Sequence, residues 1–210
     1  MYYVQTQQPS RVITVTGNGQ VMAAPTSSQL QIEVQTRGKN VQQPQQDNAT
    51  IMRQVIQALV ALGVPREDIQ TATYTITPLY NYEDGQQIFN GYEVINAIIV
   101  NTSDLDNIGF IIDTAIENGA NRIANIQFNV NQMDAYYQQA LTLALHDAQI
   151  KAKTIADTMR IALPPLPIEI TEEQANTPIL YRSMADSSGF TPIEQGQIPV
   201  HATVRVKFQY

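Results

Sequence analysis

The residues whose types could support chemistry are few: two histidines at 146 and 201, a scatter of acids, and a Gly17-Asn18-Gly19 triplet. A zinc site needs several ligands at close spacing, and neither His146 nor His201 has a histidine or cysteine nearby. The chain has no cysteine, which excludes a disulfide framework, a thiol nucleophile and a thiolate metal site. Asp147 adjoins His146, but adjacent residues on a helix point about 100° apart, so the two do not converge. Asp104 and Asp106 fall in the first turn of an expected helix, where the dipole favours negative charge. Asp113 and Glu117, four apart, read as solvated charges on its outer face. Gly17 and Gly19 lack the later glycine and the strand-turn-helix context of a phosphate loop. Two glycines on one strand face mark a bulge, or a place where another segment passes close. No Ser-His-Asp set can be assembled. The sequence assigns no catalytic, cofactor-binding or metal-binding residue and no cofactor, and the expectation is a non-enzyme.

Aromatic residues offer a different function. Tyr74, Tyr80, Tyr82 and Tyr92 cluster around one expected hairpin. They read either as a binding platform or subunit contact, or as cross-strand packing. Residues 171–197 have no sustained period and form an expected long loop carrying Leu180, Tyr181, Met184 and Phe190, a length that usually accompanies a role. Tyr181 and Phe190 therefore join the four tyrosines as the candidate interaction surface.

The elements that must position these residues follow from periodicity. Residues 1–10 read as a loose arm. Ile13 and Val15 begin a strand, and Leu30, Ile32 and Val34 alternate with polar residues in a second. A helix follows from Pro44 through Ile51, Met52, Val55, Ile56, Leu59 and Leu62 to Gly63. Ile69 to Leu79 and Ile88 to Asn101 are strands joined by a connection containing Asp84-Gly85. Leu105, Ile108, Ile112, Ala115 and Ile116 form a second helical stripe, and a strand spans Ile123 to Asn131. The longest element is expected from Asn131 to Ile161, a helix capped by Asn131. Its stripe is Leu141, Leu145, Ala148, Ala152, Ile155 and Met159, and Lys151, Lys153 and Arg160 sit in its last turns. Leu166, Ile168 and Ile170 make a short strand, and Val200 to Tyr210 a last one with the cleanest alternation. The order ββ-α-ββ-α-β-α-ββ predicts an α+β domain over residues 11–210, with a mixed or antiparallel sheet and three helices mainly on one face.

Bulk composition narrows the partners. Among 210 residues, 12 Lys+Arg stand against 19 Asp+Glu, a net charge of −7, which excludes the basic face of a nucleic-acid binder. No stretch is apolar enough to span a bilayer as a helix. Residues 1–8 lack a basic n-region and an apolar h-region, so a cytoplasmic location is expected, with export or the cell envelope as the alternative if a leader has been removed.

Several patterns, in order, resemble the SIMPL domain family. They are Ile13-Thr14-Val15-Thr16-Gly17-Asn18-Gly19 followed by Pro25, then Leu62-Gly63-Val64 with Asp68-Ile69-Gln70-Thr71, then Tyr80-Asn81-Tyr82 with Gly91-Tyr92. Asn118-Gly119-Ala120-Asn121-Arg122-Ile123, the long helix with Ala148, Lys151 and Ala152, and Pro192-Ile193-Glu194 complete the set. The chain departs from the family at Thr26, where an acidic residue is common. The resemblance implies an α+β fold, self-association, no established catalytic residues, and for some bacterial members a link to oxidative-stress defence. Two functions follow as expectations: a homo-oligomeric assembly or interaction protein, or alternatively a small-ligand binder or enzyme with a pocket between helices and sheet.

Overall fold

The computed structural model describes residues 11–161, 166–173 and 191–210. The elements are β1 (Val12–Ala23), β2 (Ser27–Gly38), α1 (Gln42–Leu62), β3 (Ile69–Glu83), β4 (Gln86–Thr102), α2 (Ile108–Glu117), β5 (Arg122–Asn129), α3 (Met133–Thr158), β6 (Leu166–Glu173) and β7 (Ile198–Gln209). The α+β class and the element order read from the sequence both hold. The strands, however, form two antiparallel sheets, ordered β1-β7-β6 and β3-β4-β2-β5, rather than one. Alternation reveals which side chains face inward and carries no information on which strands become neighbours. The described residues cluster into two compact units, one of 11–24, 132–161, 166–173 and 196–210, the other of 25–131 and 191–195.

In the first unit α3 lies across β1 and β7. Ile13 and Val15 of β1 and Ala202, Val204, Val206 and Phe208 of β7 form its core with Ala140, Ala144, Ala148, Ala152 and Ala156 of α3. Of the stripe expected from the sequence, Ala148 and Ala152 lie in this core, and the other four residues do not. Leu141 and Leu145 only flank the core, Ile155 is exposed, and Met159 is 68% exposed. The reason is Gly17 and Gly19, which share the inward face with Ile13 and Val15. A Cβ on Gly17 would stand 2.0 Å from the Ala144 carbonyl oxygen, and one on Gly19 1.9 Å from that of Ala140. The helix backbone rests directly on the strand, and only methyl side chains fit the seam. The β1–β7 register runs without a shift from Val12↔Gln209 to Ala23↔Ile198. The glycines therefore mark a close approach and not a bulge.

The ends of α3 also differ from expectation. Gln132, with φ 61°, occupies the cap position without a side-chain cap bond, and the helix stops at Thr158 with no basic residue in its last turn. Asn131 instead donates its backbone N–H to Thr26 Oγ1 at 2.7 Å.

The second unit packs α1 and α2 on one face of its sheet. Leu30, Ile32 and Val34 of β2 and Ile98 and Val100 of β4 meet Met52, Val55 and Leu59 of α1 and Ile108, Ile111, Ile112 and Ala115 of α2. Gly63, at φ 108°, ends α1, with Val64 N–H bonded to Leu59 O at 3.0 Å. Asn48 is fully buried in α1, and its Nδ2 donates to Val34 O at 2.8 Å and Val94 O at 3.3 Å. The helix α2 begins only at Ile108, so Asp104 and Asp106 precede it and its first turn holds no acid. Asn121 follows Gly119 and uses its side chain as a substitute peptide: Gln35 N–H donates to its Oδ1 at 2.9 Å, and its Nδ2 donates to Gln35 O at 2.8 Å.

Gly19→Ala is expected to lower unfolding stability by about 3 kcal/mol or more, at or above the upper end of ordinary overpacking, because the contact is helix backbone and cannot swing aside. Urea denaturation followed by circular dichroism measures it. A loss below about 0.5 kcal/mol, the size of an ordinary surface substitution, would mean that α3 does not lie against β1.

Candidate functional site

Alternation along β3 places Tyr74, Ile76, Pro78, Tyr80 and Tyr82 on one face. The turn at Asp84 (φ 49°) and Gly85 (φ 79°) is a two-residue hairpin of the kind Asp-Gly favours. Both strands run closer to it than the sequence indicated, to Glu83 and from Gln86. The turn fixes the register, which sets Phe89 opposite Tyr80 and Tyr92 opposite Pro78. Tyr80 and Phe89 meet edge-to-face at 5.8 Å between ring centres, and Phe89 and Tyr92 at 5.2 Å. A register shift between Leu79 and Tyr80 leaves Asn90 without a partner in β3, and Gly91 takes φ 124° beside it. Asn90 is tied down there, its Nδ2 donating to Asn81 Oδ1 at 3.1 Å and its own Oδ1 accepting from Lys39 Nζ at 3.0 Å.

Among the described residues β2 accompanies β4 no farther than Gly38↔Tyr92, so the outer part of the hairpin stands as two strands only. Its aromatic face stays open. Tyr74, Ile76, Tyr80 and Phe89 are each well exposed, and Tyr82 is 75% exposed. The structure thus joins Tyr80 and Tyr92 through Phe89, which the sequence reading missed, and sets Tyr74 apart, opposite Asn96. The signal for Phe89 was present: once Asp84-Gly85 is taken as the turn, residue pairs summing to 169 face each other. Tyr181 and Phe190 lie outside the described residues.

The remaining candidates do not converge. His146 and His201 are exposed on α3 and β7. Asp113 accepts from Thr191, from its N–H at 3.2 Å and its Oγ1 at 2.5 Å. A cleft of about 470 Å3 is lined by Asp68, Asn101, Thr102, Ser103, Asp104 and Asn107, among others. No histidine, lysine or arginine lines it. Asp104 Oδ2 accepts from Asn107 Nδ2 at 2.8 Å.

Two charged residues of α3 bond the backbone of β1. Asp147 Oδ2 accepts from the Asn18 N–H at 2.8 Å and from Lys151 Nζ at 2.7 Å, while Lys151 Nζ also donates to Thr16 O at 2.9 Å. β1 is an edge strand, and this pair bonds the outward backbone groups at the middle of its free edge. The Lys151 bond, then the Asn18 N–H, hold the Asp147 carboxyl below its ordinary pKa. Nearby, Tyr137 donates its hydroxyl to Glu172 Oε1, a bond that raises the tyrosine pKa. The sequence places Lys151 at a helix end and turns Asp147 away from His146, and neither expectation contains these bonds.

Comparison with known proteins places this geometry in context. The profile of the SIMPL family, described as a protein of unknown function (DUF541), matches residues 13–208. The chain is 29% identical over 220 aligned residues to the 26 kDa periplasmic immunogenic protein of Brucella melitensis, covering 97% of this chain and 86% of that protein. It is 29% identical over 154 residues to the uncharacterized protein YggE of Escherichia coli K12, covering 73% of this chain and 63% of that protein. These names correct the cytoplasmic expectation. The relatives that match nearly the whole chain are named for the periplasm, whereas the expectation rested on eight N-terminal residues that take no part in the matching core.

Because the folded-state pKa of Asp147 is depressed, its contribution to stability is present above the unfolded value and is lost as pH falls from about 4 through the lowered folded value. Asp147→Asn is expected to cost about 1 kcal/mol or less at pH 7, the scale of a solvent-screened pair, and to flatten that acid limb. Denaturation midpoints between pH 2 and pH 7 check it, and an unchanged acid limb would show that the carboxylate is not held at β1.

Proposed function

The chain belongs to the SIMPL family, and from that premise we propose that it is an exported, non-enzymatic protein that assembles with copies of itself through the aromatic face of the β3–β4 hairpin. The observation that carries this reading is the projecting two-stranded arm. Tyr80, Tyr82 and Phe89 stand exposed on it, with no third strand beside them among the described residues. Aromatic residues supply large contact area at small conformational cost and are enriched where proteins meet. A two-stranded arm is marginal by itself and gains order from a partner surface. Export is supported by the names of the Brucella relatives. The non-enzymatic part rests on chemistry: the described acids and histidines do not assemble into a nucleophile–base pair. A role in oxidative-stress defence, which the family resemblance implies, would have to proceed without a thiol, since the chain has no cysteine.

Light scattering on the eluting peak at micromolar concentration tests the assembly. The expected result is a mass several times that of one chain, falling to one chain in the Tyr82→Ser, Phe89→Ser double variant with an unchanged circular dichroism spectrum. A wild-type chain that elutes as a monomer, or a double variant that keeps the full mass, would remove the hairpin from the interface.

A further inference from the structure

The second unit carries an apolar trough that the assembly reading does not use. It has a volume of about 570 Å3 and is lined by Ala49, Met52, Arg53, Ile56, Gln57 and Val60 of α1, by Arg66 just beyond the helix, and by Asn96 of β4. The six helix positions recur at spacings of three and four or one, so they lie along one side of α1, beside the buried stripe of Met52, Val55 and Leu59. Met52, Ile56 and Val60 make the apolar floor, and Val60 is left exposed although it is aliphatic.

The charges of the unit single out this place. Residues 25–131 hold five cations: Arg37, Lys39, Arg53, Arg66 and Arg122. Arg37 pairs with Glu93, Arg122 with Glu33, and Lys39 bonds to Asn90. The guanidinium groups of Arg53 and Arg66 have no hydrogen-bond or ion-pair partner among the described residues, and both side chains line the trough. A chain of net charge −7 repels anions in general, so two guanidinium groups with no partner among the described residues, beside one apolar floor, create a local exception. Guanidinium is the side chain best matched to a carboxylate, which it can hold through two parallel hydrogen bonds. From Ala49 to Val60 the helix rises about 16 Å, the reach of a medium-length acyl chain. The volume lies within the range of small-molecule sites.

We propose that this trough binds a free single-chain carboxylate amphiphile, its tail on Met52, Ile56 and Val60 and its carboxylate on Arg53 and Arg66. The site involves neither the hairpin tip nor self-association, so it stands or falls independently of the assembly.

The test is titration calorimetry of the full chain with dodecanoate below its micelle concentration. Dodecyltrimethylammonium and vesicles of phosphatidylglycerol serve as separate arms. The expected result is one dodecanoate bound per chain, at least tenfold weaker binding to the Arg53→Gln, Arg66→Gln double variant, and comparable loss in Val60→Asp, which attacks the tail contact while leaving both arginines in place. The cationic amphiphile is expected not to bind, and the vesicles not to capture the protein. The proposal is overturned if dodecanoate does not bind, if both folded variants bind it as the wild type does, if the cationic amphiphile binds equally well, or if only the vesicles are bound.

Discussion

The close approach of α3 to β1 is the constraint on which the first unit is built. With Gly17 and Gly19 under the helix, the carbonyl oxygens of Ala140 and Ala144 occupy space where any other residue would place a Cβ. The seam gains contact area from backbone atoms and methyl groups instead of large side chains, and its short distance has a second consequence. Asp147 and Lys151, one turn apart on the same helix, can reach past the sheet face to the outer edge of β1 and bond the Asn18 N–H and the Thr16 carbonyl. A helix held farther off by leucine or isoleucine would leave those groups to solvent or to a foreign strand. The glycines therefore set both the packing of the face and the protection of the edge.

This seam shows why sequence periodicity located α3 and caught only part of its face. A search for apolar residues at helical spacing selects Ala148 and Ala152, which are buried, but joins them to the bulkier Leu141, Leu145, Ile155 and Met159 instead of to Ala140, Ala144 and Ala156, since alanine adds little to such a signal. The buried set is a strict four-residue row of alanines. Rows of that kind are inclined about 26° to the helix axis. The corrective signal sat on the other partner: Gly17 and Gly19 continue the inward face of Ile13 and Val15, and inward glycines on a strand require something small to face them. By contrast the inward faces of β2 and β7 are clear in the sequence, since Leu30, Ile32 and Val34 and then Val200 to Phe208 are large enough to declare themselves.

The hairpin divides along similar lines. Asp84-Gly85 announces its turn because positive φ at both central residues is costly for most other side chains. The register, and so the Tyr80–Phe89–Tyr92 chain of rings, follows by counting outward until Asn90. There one extra residue enters β4, made possible by Gly91 at φ 124°, and counting fails beyond it. A glycine in a strand allows such an irregularity without announcing it. What no local pattern contains is the assignment of strands to two sheets, because β1 and β7 meet across almost the whole length of the chain.

The polar residues with the firmest geometry share one task, which bears on where function can lie. Asn48 bonds the carbonyls of Val34 and Val94, Asn121 bonds both backbone groups of Gln35, and Asp147 with Lys151 bonds those of Asn18 and Thr16. Each bonds main-chain groups, and those of Gln35, past the last β2–β5 pair, and of Asn18 and Thr16, on the edge of β1, face no paired strand among the described residues. The Asn118–Ile123 motif and the Ala148–Ala152 stretch, which carry part of the family resemblance, are thereby accounted for by the needs of the fold. Residues engaged in this way are poor candidates for chemistry, since moving a proton or a ligand to them would release the backbone they hold. Function is then to be sought among groups the fold leaves unengaged: the exposed rings of the hairpin and the two guanidinium groups beside α1 that have no partner among the described residues.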